Sequence, residues 1–286
     1  MHVPILVKEI VDLLAIAPHH IVVDGTGGYG GHSAAMLGCL ETGHLHIADR
    51  DPMAVAQIQT RFHGDARVTV YPMTYASFVT QVTFKIDRLL VDLGMSSMQL
   101  DDPGRGFGYL HDGPLDMRMN PLDPLSAADI LNTYSAQDLS DLFFRYGELH
   151  QNKILVQNIV SFRRQQQISE TAQLRDLIKD SYRFGTRPAM MRHFAQVFQA
   201  LRICVNREFE ELEQLLQCVG QVMATDGRIA FLTFHSQEDR LVKHRMRLYP
   251  DWRMMTKHVV LADQEEVREN SRAKAAKLRV YQRVAS

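Results

Sequence analysis

The segment His20-Ile-Val-Val-Asp24 constrains the fold more than any other, because a short β-branched apolar run empties into Asp24-Gly-Thr-Gly-Gly-Tyr-Gly-Gly-His32. Five of the seven positions 25–31 are glycine. Residues without side chains between a strand and a helix let a ligand reach the backbone and the positive end of the helix. Gly25, Gly27 and Gly30 satisfy G-x-G-x-x-G. A helical pattern follows over 33–40, then an apolar strand over 44–49 that ends in Asp49, where a carboxylate can accept hydrogen bonds from ribose hydroxyls. The order strand, glycine loop, helix, strand, acid points to a nucleoside-containing cofactor. NAD and S-adenosylmethionine both fit it.

The alternation continues with a helix over 52–62, Pro52 near its start, and strands over 67–71 and 87–92. Strands and helices alternating at this spacing imply βαβ units and a parallel sheet. The pattern then breaks. Residues 100–124 are rich in Gly, Pro and Asp, and 126–202 read as helices over 127–131, 135–146, 153–165 and 171–181, Ser126 being the N-cap of the first. A long helix is expected over 190–223. The α/β pattern resumes with a turn at Asp226-Gly227, a strand over 228–234, a helix over 237–248 and strands over 252–260 and 278–283. The expectation is a doubly wound α/β domain in two parts, 1–106 and 203–286, interrupted by a helical domain over 107–202.

The chemistry-bearing positions lie where this pattern places loops. Asp92-Leu-Gly-Met-Ser-Ser97 puts an acid and a small-residue loop at the carboxyl edge of the fourth strand, the edge where open α/β sheets bind ligands. An acceptor there can hold the protons of an exocyclic amine and align its lone pair with a methyl carbon; alternatively Asp92 caps the following turn. Asp112-Gly-Pro-Leu-Asp-Met-Arg-Met119 reads as a lid or substrate clamp, or as an ordinary connection. Phe234-His-Ser-Gln-Glu-Asp239 is no hydrolase site, since His235 and Ser236 are adjacent and no G-x-S-x-G is present. Ser236 and Asp239 read as a helix start, and His235 as either a substrate contact or a packed loop residue.

These segments resemble, in order and over nearly the whole chain, the ribosomal small-subunit RNA methyltransferase H family, also called MraW. The match rests on Asp24-Gly-Thr with Gly30-Gly-His-Ser33, Asp49-Arg-Asp-Pro52, Asp92-Leu-Gly with Ser96-Ser-Met-Gln-Leu-Asp101, and Arg105-Gly-Phe107. It continues through Asp112 to Met119, Phe198-Gln-Ala-Leu-Arg-Ile203 with Val205-Asn206, and Phe234-His-Ser with Glu238-Asp-Arg240. The resemblance implies a class I methyltransferase fold with an inserted all-helical domain. It implies methyl transfer from S-adenosyl-L-methionine to the exocyclic amine of a cytidine in the decoding region of small-subunit (16S) ribosomal RNA. Gly30, Gly31, His32, Asp49, Tyr75, Asp92 and Gln99 would then bind the cofactor, with Asp92 the candidate catalytic residue. Asp116, Arg118, Arg187, Arg202 and His235 are the candidate RNA contacts, and no metal is implied. The chain departs from the family pattern at Leu149-His150, Ala195-Gln196 and Ser271, and in a shorter 243–265 segment. None of these touches the glycine loop.

A formal net charge of −1 argues against a general nucleic-acid coater but leaves room for local basic patches at Arg163-Arg164, Arg183 to His193 and Arg268 to Arg283. Each is a solvated face or a phosphate site. The three cysteines lack metal-ligand spacing, no apolar run approaches a membrane span of ~20 residues, and the N-terminus carries no secretory pattern. A reducing cytoplasm is therefore expected, with ribosomal RNA or the assembled small subunit as partner. Two readings compete: an NAD-dependent oxidoreductase, and a non-catalytic RNA-binding or ribosome-assembly factor.

Overall fold

The computed structural model describes residues 4–284. The chain divides into two compact units, Met1–Gly94 with Phe209–Ser286, and Met95–Glu208. The expected helical insertion, 107–202, lies inside the second.

Elements run in chain order as α1 (Val7–Leu14), β1 (Ile21–Asp24), α2 (Gly31–Leu37), β2 (His44–Ala48), α3 (Pro52–Arg61), β3 (Val68–Tyr71), α4 (Tyr75–Gln81) and β4 (Ile86–Asp92). The second unit holds α5 (Ser97–Asp101), α6 (Ala127–Thr133), α7 (Ala136–Gly147), α8 (Lys153–Arg163), α9 (Thr171–Ser181) and α10 (Arg187–Asn206). The chain closes with α11 (Glu208–Val222), β5 (Met223–Thr233), α12 (Ser236–Met246), β6 (Trp252–Met254), α13 (Gln264–Glu269) and β7 (Lys277–Arg283).

The sheet order is β3-β2-β1-β4-β5-β7-β6. Strands β1 to β5 pair in parallel, and β7 runs antiparallel to both its neighbours. This is the expected doubly wound α/β sheet. Side chains alternate between its two faces, and helices cover both, so both sets are buried. Val23, Leu89, Val91, Ile229 and Phe231 join one apolar cluster with Phe78 of α4 and Leu215 and Val219 of α11. Val22, Leu90, Ala230 and Leu232 join another with Ile10 and Leu14 of α1, Met36 of α2 and Ile58 of α3. The chain winds outward from β1 to β3, then returns to place β4 on the other side of β1. That reversal opens a crevice at the carboxyl ends of β1 and β4, where Asp24 and Asp92 stand.

Helix α1 was not expected, though Val7, Ile10, Val11 and Leu14 carry a helical apolar spacing and Ile10 and Leu14 are buried. It is held from outside: Arg228 Nη1 donates to Leu13 O at 2.6 Å, and the Arg88 guanidinium donates to Ala15 O at 3.2 and 3.3 Å. These side chains answer the carbonyls that a helix end leaves unpaired.

The second unit has its own core, in which Leu139 and Phe143 of α7, Leu155 and Ile159 of α8, Leu174 and Ile178 of α9 and Val197 and Leu201 of α10 interlock. The irregular 102–125 segment is part of that core. Leu115, Met117 and Met119 are buried, and Asn206 fastens the chain around them. Asn206 Nδ2 donates to Met117 O at 2.8 Å and its Oδ1 accepts from the Met119 amide at 2.7 Å.

Four expectations need correction. The helix expected over 190–223 is two helices, because Arg207 takes φ +53° and ends α10 with a left-handed residue. Strand β5 begins at Met223, so the Asp226-Gly227 turn lies within it as an irregularity with Asp226 at φ +62°. The strand expected over 252–260 is only β6, after which Val260 makes one isolated bridge to Leu278. Helix α12 is capped by His235, not Ser236, since the capping box pairs His235 with Glu238.

Candidate functional site

At the β1–β4 crevice the glycine loop is shaped by backbone that only glycine adopts cheaply. Gly28 and Gly30 have φ of +52° and +71°. A Cβ on Gly30 would stand 2.9 Å from the Phe62 ring, whereas one on Gly28 would meet nothing nearer than Thr26 O at 4.0 Å. The loop is therefore closed behind Gly30 and open at Gly28. Arg61 Nη1 pins it by donating to Tyr29 O at 2.8 Å. The N-cap of α2 is Gly30, which gives no side-chain cap, and the Pro4 ring packs against Gly31, where a Cβ would lie 2.9 Å from its Cγ.

Three acids surround the loop. Asp24 is buried; its Oδ2 accepts from Ser33 Oγ at 2.5 Å and its Oδ1 from the Thr26 amide at 3.2 Å. Burial pushes its carboxyl up, against the Ser33 hydrogen bond. Asp49 follows β2, with Oδ2 accepting from the Gly28 amide and Oδ1 from the Asp51 amide, both at 2.8 Å. Burial pushes it up to about 6 although both hydrogen bonds favour the anion. Its lone pairs first shape the glycine loop; the carboxylate has capacity left for a ribose hydroxyl.

Asp92 ends β4, and its amide donates to Thr26 Oγ1 at 2.8 Å, which ties the two strand ends together. Its side chain keeps 28% of its surface open, yet Oδ1 is buried with no hydrogen-bond partner. Oδ2 lies 3.6 Å from His32 Nδ1. Burial pushes this carboxyl up to about 7; His32 pulls it down, and Asp24 and Glu238 push it further up. His32 Nε2 is 2.8 Å from Ile5 O. A carbonyl only accepts, so Nε2 carries a hydrogen and Nδ1 is the nitrogen that faces Asp92.

Tyr75 opens α4 against the loop, its Cβ 2.9 Å from where a Cβ on Gly25 would lie. His235 is packed rather than open: Nδ1 accepts from the Glu238 amide at 3.4 Å, Nε2 lies 2.9 Å from Glu238 Oε1, and the ring stands 5.9 Å from Phe209. Glu238 is itself buried and accepts from the Phe234 amide at 2.9 Å. Asp24 and Glu238 were not singled out as site residues by the sequence. An acid at the strand end before the glycines, and one three residues after an N-cap, were the signals.

The remaining candidates belong to the second unit. Gln99 is buried in a capping box, its Oε1 accepting from the Ser96 amide at 3.0 Å. Arg118 forks onto Asp116 at 2.8 and 2.7 Å and also donates to Asp123 O. Arg202 forks onto Glu208 at 2.8 and 2.9 Å. Arg187 is exposed in the first turn of α10. Asp116, Arg118 and Arg202 thus hold the chain's own geometry, and Arg187 alone of the four is exposed.

A family model described as the MraW methylase family matches residues 1–284. Among curated relatives, the protein named ribosomal RNA small subunit methyltransferase H from Cyanothece sp. is 38% identical, covering 99% of this chain and 95% of its own. The protein of the same name from Solidesulfovibrio magneticus is 39% identical, covering 99% and 96%. A third, from Streptococcus dysgalactiae, is 37% identical over 99% and 98%. With a family match that spans almost every residue, and relatives 37–39% identical over 99% of its length, this chain belongs to the MraW methylase family.

Proposed function

We propose that this chain methylates the exocyclic N4 amine of one cytidine in the decoding region of small-subunit (16S) ribosomal RNA. It is a methyltransferase that uses S-adenosyl-L-methionine. The observation that carries the reading is the family match over residues 1–284, with relatives named as methyltransferases of small-subunit ribosomal RNA. The residues at the crevice fit the donor: an open backbone at Gly28 and a buried Asp92 oxygen with no partner. A dinucleotide-dependent oxidoreductase is set aside by the family.

S-adenosyl-L-methionine supplies a methyl group on a sulfonium whose positive charge makes the sulfur a good leaving group. The protein's part is then to bind, orient and exclude. Gly30, Gly31 and His32 present the helix start, Asp49 offers an acceptor for a ribose hydroxyl, and Tyr75 and Gln99 complete the proposed cofactor set. Asp92 accepts from the target amine and aligns its lone pair, a positioning effect worth up to ~7–11 kcal/mol in well-oriented reactions. His32 holds Asp92 in place. An amine within a stacked duplex is out of reach, so the cytosine must be unpaired or splayed. Asp116, Arg118, Arg187, Arg202 and His235 support the RNA side of this reading, the first two and Arg202 by shaping loops and Arg187 by direct phosphate contact. Among the described residues no helix is long and apolar enough to cross a membrane; the substrate places the enzyme in the cytoplasm.

The test uses purified protein, radiolabelled donor and small ribosomal particles from a strain lacking the modification. Label on a single cytosine amine is the expected result. Absence of label with donor binding intact by calorimetry would move the acceptor elsewhere, and absence of donor binding would end the methyltransferase reading for this chain.

A further inference from the structure

The second unit contains a cleft of about 1210 Å³ lined by α7, α8, the 182–184 connection and the start of α10. Its volume exceeds the ~300–1,000 Å³ of ordinary small-molecule pockets. None of the lining residues is acidic, while Arg183, Lys153, His150 and His193 are among them. Three rings gather on one wall. The Tyr182 and His193 centroids are 4.5 Å apart, Phe184 and His193 5.2 Å, and Tyr182 and Phe184 5.9 Å. On the α7–α8 side His150 lines the cleft and packs edge-on against Phe144, 5.2 Å away.

Two observations say that the cleft is built for a polar partner. The Tyr182 hydroxyl is buried without a hydrogen-bond partner, and burial pushes it up to about 12, so it remains a donor at any physiological pH. A buried hydroxyl in that condition calls for a water or ligand to complete it. In addition, α8 begins at the cleft with Lys153, and its N-cap Asn152 gives no side-chain cap. The Asn152 side chain is committed to Ser140 O, Leu149 O and Ser140 Oγ instead. Aromatic faces, cations without acids, an uncapped helix start and an unsatisfied hydroxyl together match a nucleotide: a base with a π-face and polar edge, and a phosphate.

We propose that this cleft is an RNA subsite within the helical unit that takes an unpaired nucleotide, its base against Tyr182, Phe184 and His193 and its phosphate on Arg183, Lys153 and the start of α8. It rests on the reading that RNA is the substrate, and adds a base-stacking site formed by the helical unit alone.

The test measures binding of a fluorescein-labelled single-stranded pyrimidine 12-mer RNA to the full chain by anisotropy, beside methyl transfer to ribosomal particles by the wild type. Phe184→Ala should weaken binding roughly 5- to 150-fold, the range for loss of one stacked base. Tyr182→Phe removes only an atom that has no partner in the fold. It should weaken binding about 2- to 12-fold with no loss of thermal stability. Arg183→Ala with Lys153→Ala should flatten the salt dependence of log Kd by about 0.7, the value for one phosphate of a single strand. Unchanged affinity in all three variants, or a wild type that does not bind the oligonucleotide, overturns the subsite. Equal losses for single-stranded and duplex RNA would assign the cleft to phosphate alone and overturn the stacking assignment. Failure of the wild type to methylate particles is a separate result and bears on the proposed function instead.

Discussion

Asp92→Asn separates the two things that Asp92 does. The folded chain holds this carboxyl at about 7 against an ordinary 3.8. A carboxyl raised on folding stays protonated where the unfolded chain has already ionised, so stability falls as pH rises from about 4 to about 7. At 1.36 kcal/mol per pH unit the full interval corresponds to about 4 kcal/mol, of which about 3 kcal/mol accrues above pH 5. The partial exposure of the side chain (28%) makes these ceilings, because solvent reaching Oδ2 softens the penalty. Asparagine keeps the shape and cannot ionise. The donor-free variant should therefore exceed the wild type in stability by about 1–3 kcal/mol more at pH 8 than at pH 5, a difference of roughly 2–5 °C in midpoint for a chain of this size. Scanning calorimetry at the two pH values reads it. Methyl transfer should move the other way, falling at least about tenfold if the carboxylate accepts from the amine. A gain in stability that is the same at both pH values, or a loss, would refute the electrostatic argument. Full turnover with donor affinity unchanged would refute the catalytic one.

Three further outcomes follow from single residues. Asn206→Ala removes three buried hydrogen bonds, to Met117 O, Arg202 O and from the Met119 amide; at ~0.5–1.5 kcal/mol each, unfolding should be easier by about 2–4 kcal/mol, and amide exchange at 117–119 should accelerate. Gly30→Ala forces a Cβ into φ +71° and onto the Phe62 ring, so it should destabilise by ~1–2 kcal/mol and weaken donor binding, with calorimetry reading both. Burial pushes the Asp239 carboxyl up, but the Arg279 fork at 2.7 and 3.2 Å, helped by Lys277 and Lys243, outweighs it and holds it below its usual value. Its contribution is present above pH 4 and lost as pH falls below, so Asp239→Asn should narrow the wild type's fall in stability during acid titration followed by circular dichroism.

The sheet was legible because the central parallel strands bury residues on both faces, so that Val22-Val23 and Leu89-Leu-Val91 read as apolar runs between turn signals. The glycine loop was legible because five glycines in seven positions mark a strand end approached closely from several sides, here by Tyr75, Ile47, Ile58, Phe62 and Pro4. Elements that owe their existence to partners distant in sequence were not. The end of helix α1 is held by arginines at 88 and 228, α13 stands in a polar stretch with no buried residue of its own, and α10 ends at an arginine that gives no sequence sign of a left-handed turn. At the site, positions could be named but not their states. Nothing in the string shows that Asp92 keeps an unpartnered oxygen, that Asp49 spends hydrogen bonds on the loop it was expected to serve, or that His235 faces Glu238. The cleft in the helical unit shows the same limit from the other direction. The Arg183 to His193 group reads as a charge cluster in sequence, and only folding reveals that the aromatic residues among those cations share a wall.

The acids of the crevice act as a set. Asp24 raises Asp49 and Asp92, Glu238 raises Asp92, and burial raises Asp24, Asp49 and Asp92 most of all. A fold selected only for stability would not gather carboxyls where each makes the others harder to ionise, since every such interaction subtracts from stability near neutral pH. The arrangement is sensible if a cation belongs there, because a positive charge among these acids lowers all of their pKa values and recovers the electrostatic strain. S-adenosyl-L-methionine carries that charge on sulfur and its product does not. The expected outcome is that the donor binds more tightly than its demethylated product, read by calorimetry with each; equal or tighter binding of the product would refute the reasoning. His32, with Nε2 fixed on Ile5 O and Nδ1 3.6 Å from Asp92 Oδ2, sets where that carboxyl stands in the group.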